Sequence, residues 1–326
     1  MEKKSVDTYS NWDLVRDLWR WLGKYRVRFL ATSFLLLISE VSWLYPTYVL
    51  AKIVSLLTVA NIQASRAELS FLVVSWFAVM VFRLITKQLS QYVNYQISER
   101  LALEVELLTV NHMLKLDLAW QERENAGNKL KRIQRGAGFV QTLLNEWNDS
   151  LLPGLVGFVG VVIILSSVDR FVGSLMALFI VSYYGLSTYL MRRVAAAVDN
   201  VNKGSEDVSG LEFEAVSNVR TVKALGFAGT IIQRMARLNT ELFKKIRIRI
   251  LQMRARHFIT EGWGYCFRIG LTVYVINRIL AGTYEAGFLI LVYNYHDRVW
   301  MAISQIAKQN QQFIIARHSI ARMMDI

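Results

Sequence analysis

Residues Ser150–Val168 and Phe171–Met191 are free of charged side chains for 19 and 21 positions, with only Asp169 and Arg170 between them. Each run is long enough to cross a hydrocarbon core of ~30 Å at ~1.5 Å of helix rise per residue. A soluble fold rarely carries two such runs back to back, so the pair predicts a tight hairpin of membrane spans. Composition points the same way. The 326-residue chain is 54% hydrophobic, holds only two prolines and has a net charge of +13, against a usual apolar share of about 45–50% and about 5% proline.

Four further apolar segments frame the hairpin. Phe29–Leu57 is interrupted by Glu40, Pro46 and Lys52, and a second run opens at Leu69 and stays uncharged to Phe82. Phe258–Asn277 holds Glu261 and Arg268, and a last segment opens at Ala286. The set predicts six long transmembrane helices. The first run starts behind a charged and aromatic stretch and outlasts a cleavable signal. A single cysteine, Cys266, excludes an internal disulfide framework and a cysteine-based metal site.

The connections are unequal. Residues 57–69, 167–170 and 277–287 are short, whereas 87–149 and 192–257 are long and of similar length. The second long segment carries thirteen Lys or Arg against six Asp or Glu. Excess Lys and Arg marks the cytoplasmic side, so both long segments and both termini are expected inside a multi-pass protein of the cell (inner) membrane. The topology accounts for the charge, and no nucleic-acid partner is expected. Leu103, Leu107, Val110 and Leu114 recur at helical spacing, as do Ile231, Met235, Leu238, Leu242, Ile246, Ile250 and Met253. Each long segment therefore reads as a helix leaving the membrane, a turn, and a helix returning. Arms of roughly thirty residues would reach ~45 Å beyond the charge-free spans.

At the N-terminus, Trp12, Val15, Leu18, Trp19 and Leu22 fall on one helical face and Asp13, Arg16, Asp17 and Arg20 on the other. This pattern predicts a helix lying in the lipid interface. The expected fold class is an all-α membrane protein. Residues 1–28 form a cytoplasmic tail with the interfacial helix, and 29–326 form a six-helix domain with cytoplasmic hairpins over 87–149 and 192–257.

Two cytoplasmic stretches carry a family likeness. "LKLDLAWQERENAGNKLKRI" (Leu114–Ile133) resembles the first intracellular loop of exporter-type ATP-binding cassette transporters, with Ala126, Gly127, Leu130 and Lys131 or Arg132 at the matching positions. Asp117 stands where that family usually has a proline. "LEFEAVSNVRTVKALGFAG" (Leu211–Gly229) is similar to the second intracellular loop, where an acidic helix precedes the run Val219-Arg220-Thr221-Val222-Lys223-Ala224-Leu225-Gly226. The closing "QIAKQNQQFIIARHSIARMMDI" resembles the end of that family's sixth helix.

The resemblance implies short coupling helices at the hairpin tips, seated on nucleotide-binding domains. Carried over by position, the first would include Leu118, Trp120, Gln121 and Glu122. The second would include Phe213, Glu214, Val216, Ser217 and Asn218, with Arg220 just behind. It further implies a second transmembrane domain, identical or different, and a cargo that the sequence does not name. No G-x-x-x-x-G-K-[ST] stretch is present to cradle phosphates. ATP and Mg²⁺ are therefore expected on a partner nucleotide-binding domain, encoded separately or further along a longer protein, and no cofactor is expected on this chain.

The last helix poses a question of its own. "VYNYHDRVWMAISQIAKQN" (292–310) sets Asn294, Asp297 and Arg298 deep in a span. Ionisable residues there face the bundle interior or water rather than lipid. Candidates for one polar wall are Glu40, Gln91, Asn94, Glu261, Arg268, Asn294, Asp297, Arg298, Gln305 and Gln309, with Asp297 or Glu40 expected to pair with Arg268 or Arg298. Such pairs can line a cargo path or simply lock helices together. A carrier or channel driven by an ion gradient, using the buried acids, is the competing reading.

Overall fold

A computed structural model describes residues 9–58, 66–117 and 126–325. The described residues form helices joined by short turns, with no strand among them. Their order is α1 Asn11–Leu22, α2 Arg26–Ser42, α3 Tyr45–Leu57, α4 Arg66–Leu114, α5 Ala126–Glu146, α6 Leu152–Val168, α7 Arg170–Ser217, α8 Val219–Ala224, α9 Ala228–Leu280 and α10 Ala286–Met324. A π-helical segment, Trp147–Leu151, joins α5 to α6.

Among the described residues, four stretches are long and apolar enough to cross a membrane: Asn11–Leu57, Arg66–Leu114, Lys129–Val168 and Arg170–Ser217. The segments expected as the fifth and sixth spans lie within long helices, α9 of 53 residues and α10 of 39, that fall short of that apolarity. Glu261 and Arg268 on α9, and Asp297 and Arg298 on α10, interrupt their apolar runs.

The ends of the elements follow from their residues. Ser10 caps α1, accepting from the Trp12 and Asp13 amides while Asp13 accepts in return from the Ser10 amide. In the tight hairpin the Asp169 side chain accepts from the Phe171 and Val172 amides and so starts α7. After α9 the chain reverses at Gly282, whose φ of +74° suits glycine, while the Thr283 amide donates to the Arg278 carbonyl at 2.9 Å.

Both prolines mark irregularities. Pro46 lies in the first turn of α3, and without an N–H it has nothing to donate to the Ser42 carbonyl. The chain breaks there, between α2 and α3. Pro153 in the first turn of α6 likewise removes the donor that the Asp149 carbonyl would meet, and the backbone widens into the π segment just before it.

The chain divides into two packing units, Met1–Ile180 with Gly270–Ile326, and Val181–Ile269. In the first, α2 packs on α4, α4 on α5, and α10 on α3, α5 and α6. The α10–α3 approach depends on Gly287, where a Cβ would collide with the Ala51 carbonyl; its amide instead donates to Ser55 Oγ at 3.2 Å. A cluster of Leu14, Leu22, Tyr25, Phe29, Ile97, Leu101, Val105, Val140, Leu144, Ile320 and Met323 ties α1 and α2 to α4, α5 and the end of α10. In the second unit, the later part of α7 buries Val194, Ala197, Val201 and Val208. Arg256 of α9 donates to Ser187 Oγ at 3.1 Å, and Trp263 to Ser182 Oγ at 3.2 Å.

Two helices pack by faces that spacing alone does not choose. On α4, Leu103, Leu107 and Leu114 are exposed, and burial goes to Ile97, Leu101 and Val105. Both stripes share the helical period, so spacing identifies the helix but cannot choose which stripe packs. On α1, Asp13 and Asp17 are buried, with Asp17 accepting from the Tyr9 hydroxyl at 3.0 Å, whereas Trp12, Val15 and Trp19 stay exposed. Leu14 and Leu22 supply the protein-facing contact instead.

Candidate functional site

The break between α2 and α3 leaves main-chain carbonyls short of donors in the middle of a span. The Leu44 amide turns to the Val41 carbonyl at 3.0 Å, so the Glu40 carbonyl loses its helical partner. Inside a membrane such groups must be satisfied by neighbouring helices. Here α10 supplies the donors. Arg298 Nη1 donates to the Trp43 carbonyl at 3.2 Å and Nη2 to the Glu40 carbonyl at 3.4 Å, and Tyr295 Oη donates to the Leu44 carbonyl at 2.9 Å. The charged stretch of α10 thus faces the broken backbone of the first span.

The same break carries a buried ion cluster. Glu40, 3% exposed, accepts at Oε2 from Arg298 Nη2 at 3.2 Å. At Oε1 it meets Lys87 Nζ at 3.1 Å and Arg83 Nη2 at 3.5 Å, both from α4. The Arg83 guanidinium lies 4.0 Å from the centre of the Trp43 ring, and the Arg298 guanidinium 5.6 Å from it. Three cations therefore surround one carboxylate, and two of them, Arg83 and Arg298, also lie against the indole. Each contact crosses between elements, so the cluster pins α2, α4 and α10 together.

A second polar station lies at the other proline. Gln305 and Gln309 of α10 both donate to Ser150 Oγ in the π segment. Nearby, Asp149 accepts from Gln91 Nε2 at 3.2 Å and from Tyr95 Oη at 2.8 Å, and Asn94 Nδ2 donates to the Leu144 carbonyl at 3.3 Å. One face of α10 thus serves both irregular stretches of the bundle.

A family model described as the ABC transporter transmembrane region matches residues 29–299. The chain belongs to the ABC transporter transmembrane family. No curated protein matches it in sequence. Among solved structures, one described as a bacterial Atm1-family ABC exporter with ATP bound is similar at 14% identity with a TM-score of 0.72. The likeness covers 94% of this chain and 54% of that one, so the chain spans about half the length of the exporter whose fold it shares.

As an ABC transmembrane domain, the chain carries its predicted site residues in several places. Glu40 and Arg298 form the expected acid–base pair. Asn294 turns back to the Ile290 carbonyl of its own helix at 3.0 Å, and Asp297 is half-buried. Glu261 and Arg268 belong to the second packing unit, the first exposed and the second half-buried. Phe213, Glu214, Val216 and Ser217 are exposed on the last turns of α7, Asn218 follows them, and Arg220 lies on the short α8. Phe213 and Val216 are each 73% exposed. Leu118, Trp120, Gln121 and Glu122 lie outside the described residues.

Sequence reasoning missed Trp43, Arg83, Lys87, Tyr295 and Ser150. A signal was present for most of them. Pro46 announces freed carbonyls a turn earlier, and Arg83 and Lys87, four residues apart on α4, directly follow the uncharged run ending at Phe82. Reading Lys87 as the start of a cytoplasmic arm hid its tie to the first span.

Proposed function

We propose that this transmembrane domain is the membrane-spanning part of an ATP-driven exporter, moving cargo by alternating access while ATP and Mg²⁺ are bound and hydrolysed on a partner nucleotide-binding domain. The match of the ABC transmembrane family over residues 29–299 carries this reading. The end of α7 supports it. Phe213 and Val216 present aromatic and aliphatic surface beside Glu214 and Arg220, the kind of anchor that fills a partner's pocket. A second transmembrane domain, identical or different, completes the translocation path.

The exposed Trp12, Val15 and Trp19 of α1, with Val27, Leu30 and Phe34 of α2, support docking of the N-terminal segment at the lipid interface. The basic excess of residues 192–257 supports a cytoplasmic placement of both termini in the cell membrane. The ion-gradient alternative needs a buried acid open to a coupling ion. Glu40 is instead committed to three cations.

The test is affinity purification of the full chain from its native membrane, followed by ATP-dependent transport into inside-out vesicles. A separate ATPase subunit should accompany the chain and be lost in F213D, or, where the ATPase is a domain of the same polypeptide, F213D should abolish ATP-dependent transport, in either case with no change in the chain's own stability. Gradient-driven transport by the chain without any ATPase would overturn the reading.

A further inference from the structure

The break between α2 and α3 gathers more positive charge than it neutralises. Glu40 brings one carboxylate to Arg83, Lys87 and Arg298, leaving a surplus of two charges within these four side chains. Arg298 is well occupied, since both terminal nitrogens serve main-chain carbonyls and one also serves Glu40 Oε2. Arg83 and Lys87 are not. They converge on the single oxygen Oε1, and Arg83 Nε is buried without a hydrogen-bond partner.

The two cations sit one turn apart on α4, an arrangement that costs free energy unless an anion joins them. Further along the same helix, Gln91 and Tyr95 already donate to Asp149 of the π segment. The side chains of Arg83 and Lys87 remain 17% and 30% exposed, so the pair is reachable. Charges in a span open toward water or a solute rather than lipid. Beside Arg83 stands the Trp43 indole, half-buried, which offers an apolar wall next to the charge.

We propose that Arg83 and Lys87, walled by Trp43, bind an anionic amphiphile: a phosphate or carboxylate group carried on an apolar body. The inference rests on the exporter reading above and names the class of its cargo. A guanidinium presents adjacent N–H donors in a planar fork that fits an oxyanion, and the ammonium adds a second point charge. Glu40 competes with the ligand for both cations. It holds them in place when the site is empty and yields Oε1 contacts when an oxyanion enters.

The test is calorimetric titration of the purified full chain, with its copurifying subunits, in phosphatidylcholine nanodiscs without ATP. The probes are dodecyl phosphate, dodecyltrimethylammonium and inorganic phosphate. Dodecyl phosphate should bind at least about tenfold tighter than the cation of equal chain length, and R83Q/K87Q should abolish that preference. E40Q should move the other way, tightening dodecyl phosphate several-fold, because it removes the competing carboxylate; a merely structural cluster would weaken binding in both variants. The conservative K87R should keep the preference.

Equal affinity for the two amphiphiles, or a preference that survives R83Q/K87Q, overturns the proposal. Inorganic phosphate binding as tightly as dodecyl phosphate overturns its apolar half. Competition by phosphatidylglycerol added to the disc assigns the anion to a bilayer lipid, and its absence to a soluble amphiphile; both keep the proposal. An anion preference without ATP-driven transport sinks only the exporter reading, and ATP-driven transport without the preference sinks only this inference.

Discussion

Replacing Arg298 with methionine is the sharpest test of how the broken first span is held. The substitution keeps most of the side-chain volume and removes every donor. It deletes one charge-assisted bond to Glu40 Oε2 at 3.2 Å and two bonds to the Trp43 and Glu40 carbonyls at 3.2 and 3.4 Å. The guanidinium donates all three, and a bond from a charged group contributes about 1.5–3 kcal/mol when well formed and less at a length such as 3.4 Å. The loss is therefore about 3–5 kcal/mol, the range for breaking a buried pair. Lys87 and Arg83 stay on Glu40 Oε1 and hold the value toward the lower end. The assay is unfolding in mixed micelles at increasing dodecyl sulfate fraction, followed by circular dichroism. Combining R298M with E40Q should recover about 1.5–3 kcal/mol of coupling. As a control, K24M breaks the exposed Lys24–Glu104 pair and should leave unfolding unchanged. An R298M cost below about 1 kcal/mol, or strict additivity with E40Q, would refute the claim that α10 closes the break.

Three further outcomes are expected. Y295F removes the donor to the Leu44 carbonyl and should cost about 1 kcal/mol in the same assay, with no change in helix content. G287V pushes a branched side chain into the Ala51 carbonyl, so it should cost about 1–3 kcal/mol or more and sharply lower the yield of folded protein. At the N-terminus, burial first and then Asp17 hold the Tyr9 phenol well above its usual range, so the neutral form is favoured in the folded state. That stabilisation is present below the unfolded phenol's pKa of about 10 and declines above it; protease resistance of Trp12–Leu22 should therefore fall as pH rises past that point, and Y9F should remove the dependence.

The membrane class, the long helices and the family were legible because each rests on signals local in sequence. Charge-free length decides what can span lipid, and the run from Val219 to Gly226 carries its own likeness. The pairing of Glu40 with Arg298 was legible as one of a few alternatives, because an acid and a base inside spans each need a partner. The cations on α4 were not, since Arg83 and Lys87 look like the ordinary basic edge of a span. Nor was the buried face of α1, where Ser10 and Tyr9 engage Asp13 and Asp17 and turn an apparently polar face inward.

By itself the sequence determined where long helices form and where two of them must lose a backbone donor: Pro46 and Pro153 each remove one, whatever surrounds them. Only the tertiary structure decided what those failures meet. A carbonyl freed at Glu40 can be satisfied by any donor in reach, and its distance in sequence from Arg298 carries no information about their approach. Packing of α10 against α3 and α6 brings that donor within 3.4 Å, and so decides that Arg298 of the last helix faces a broken backbone rather than lipid.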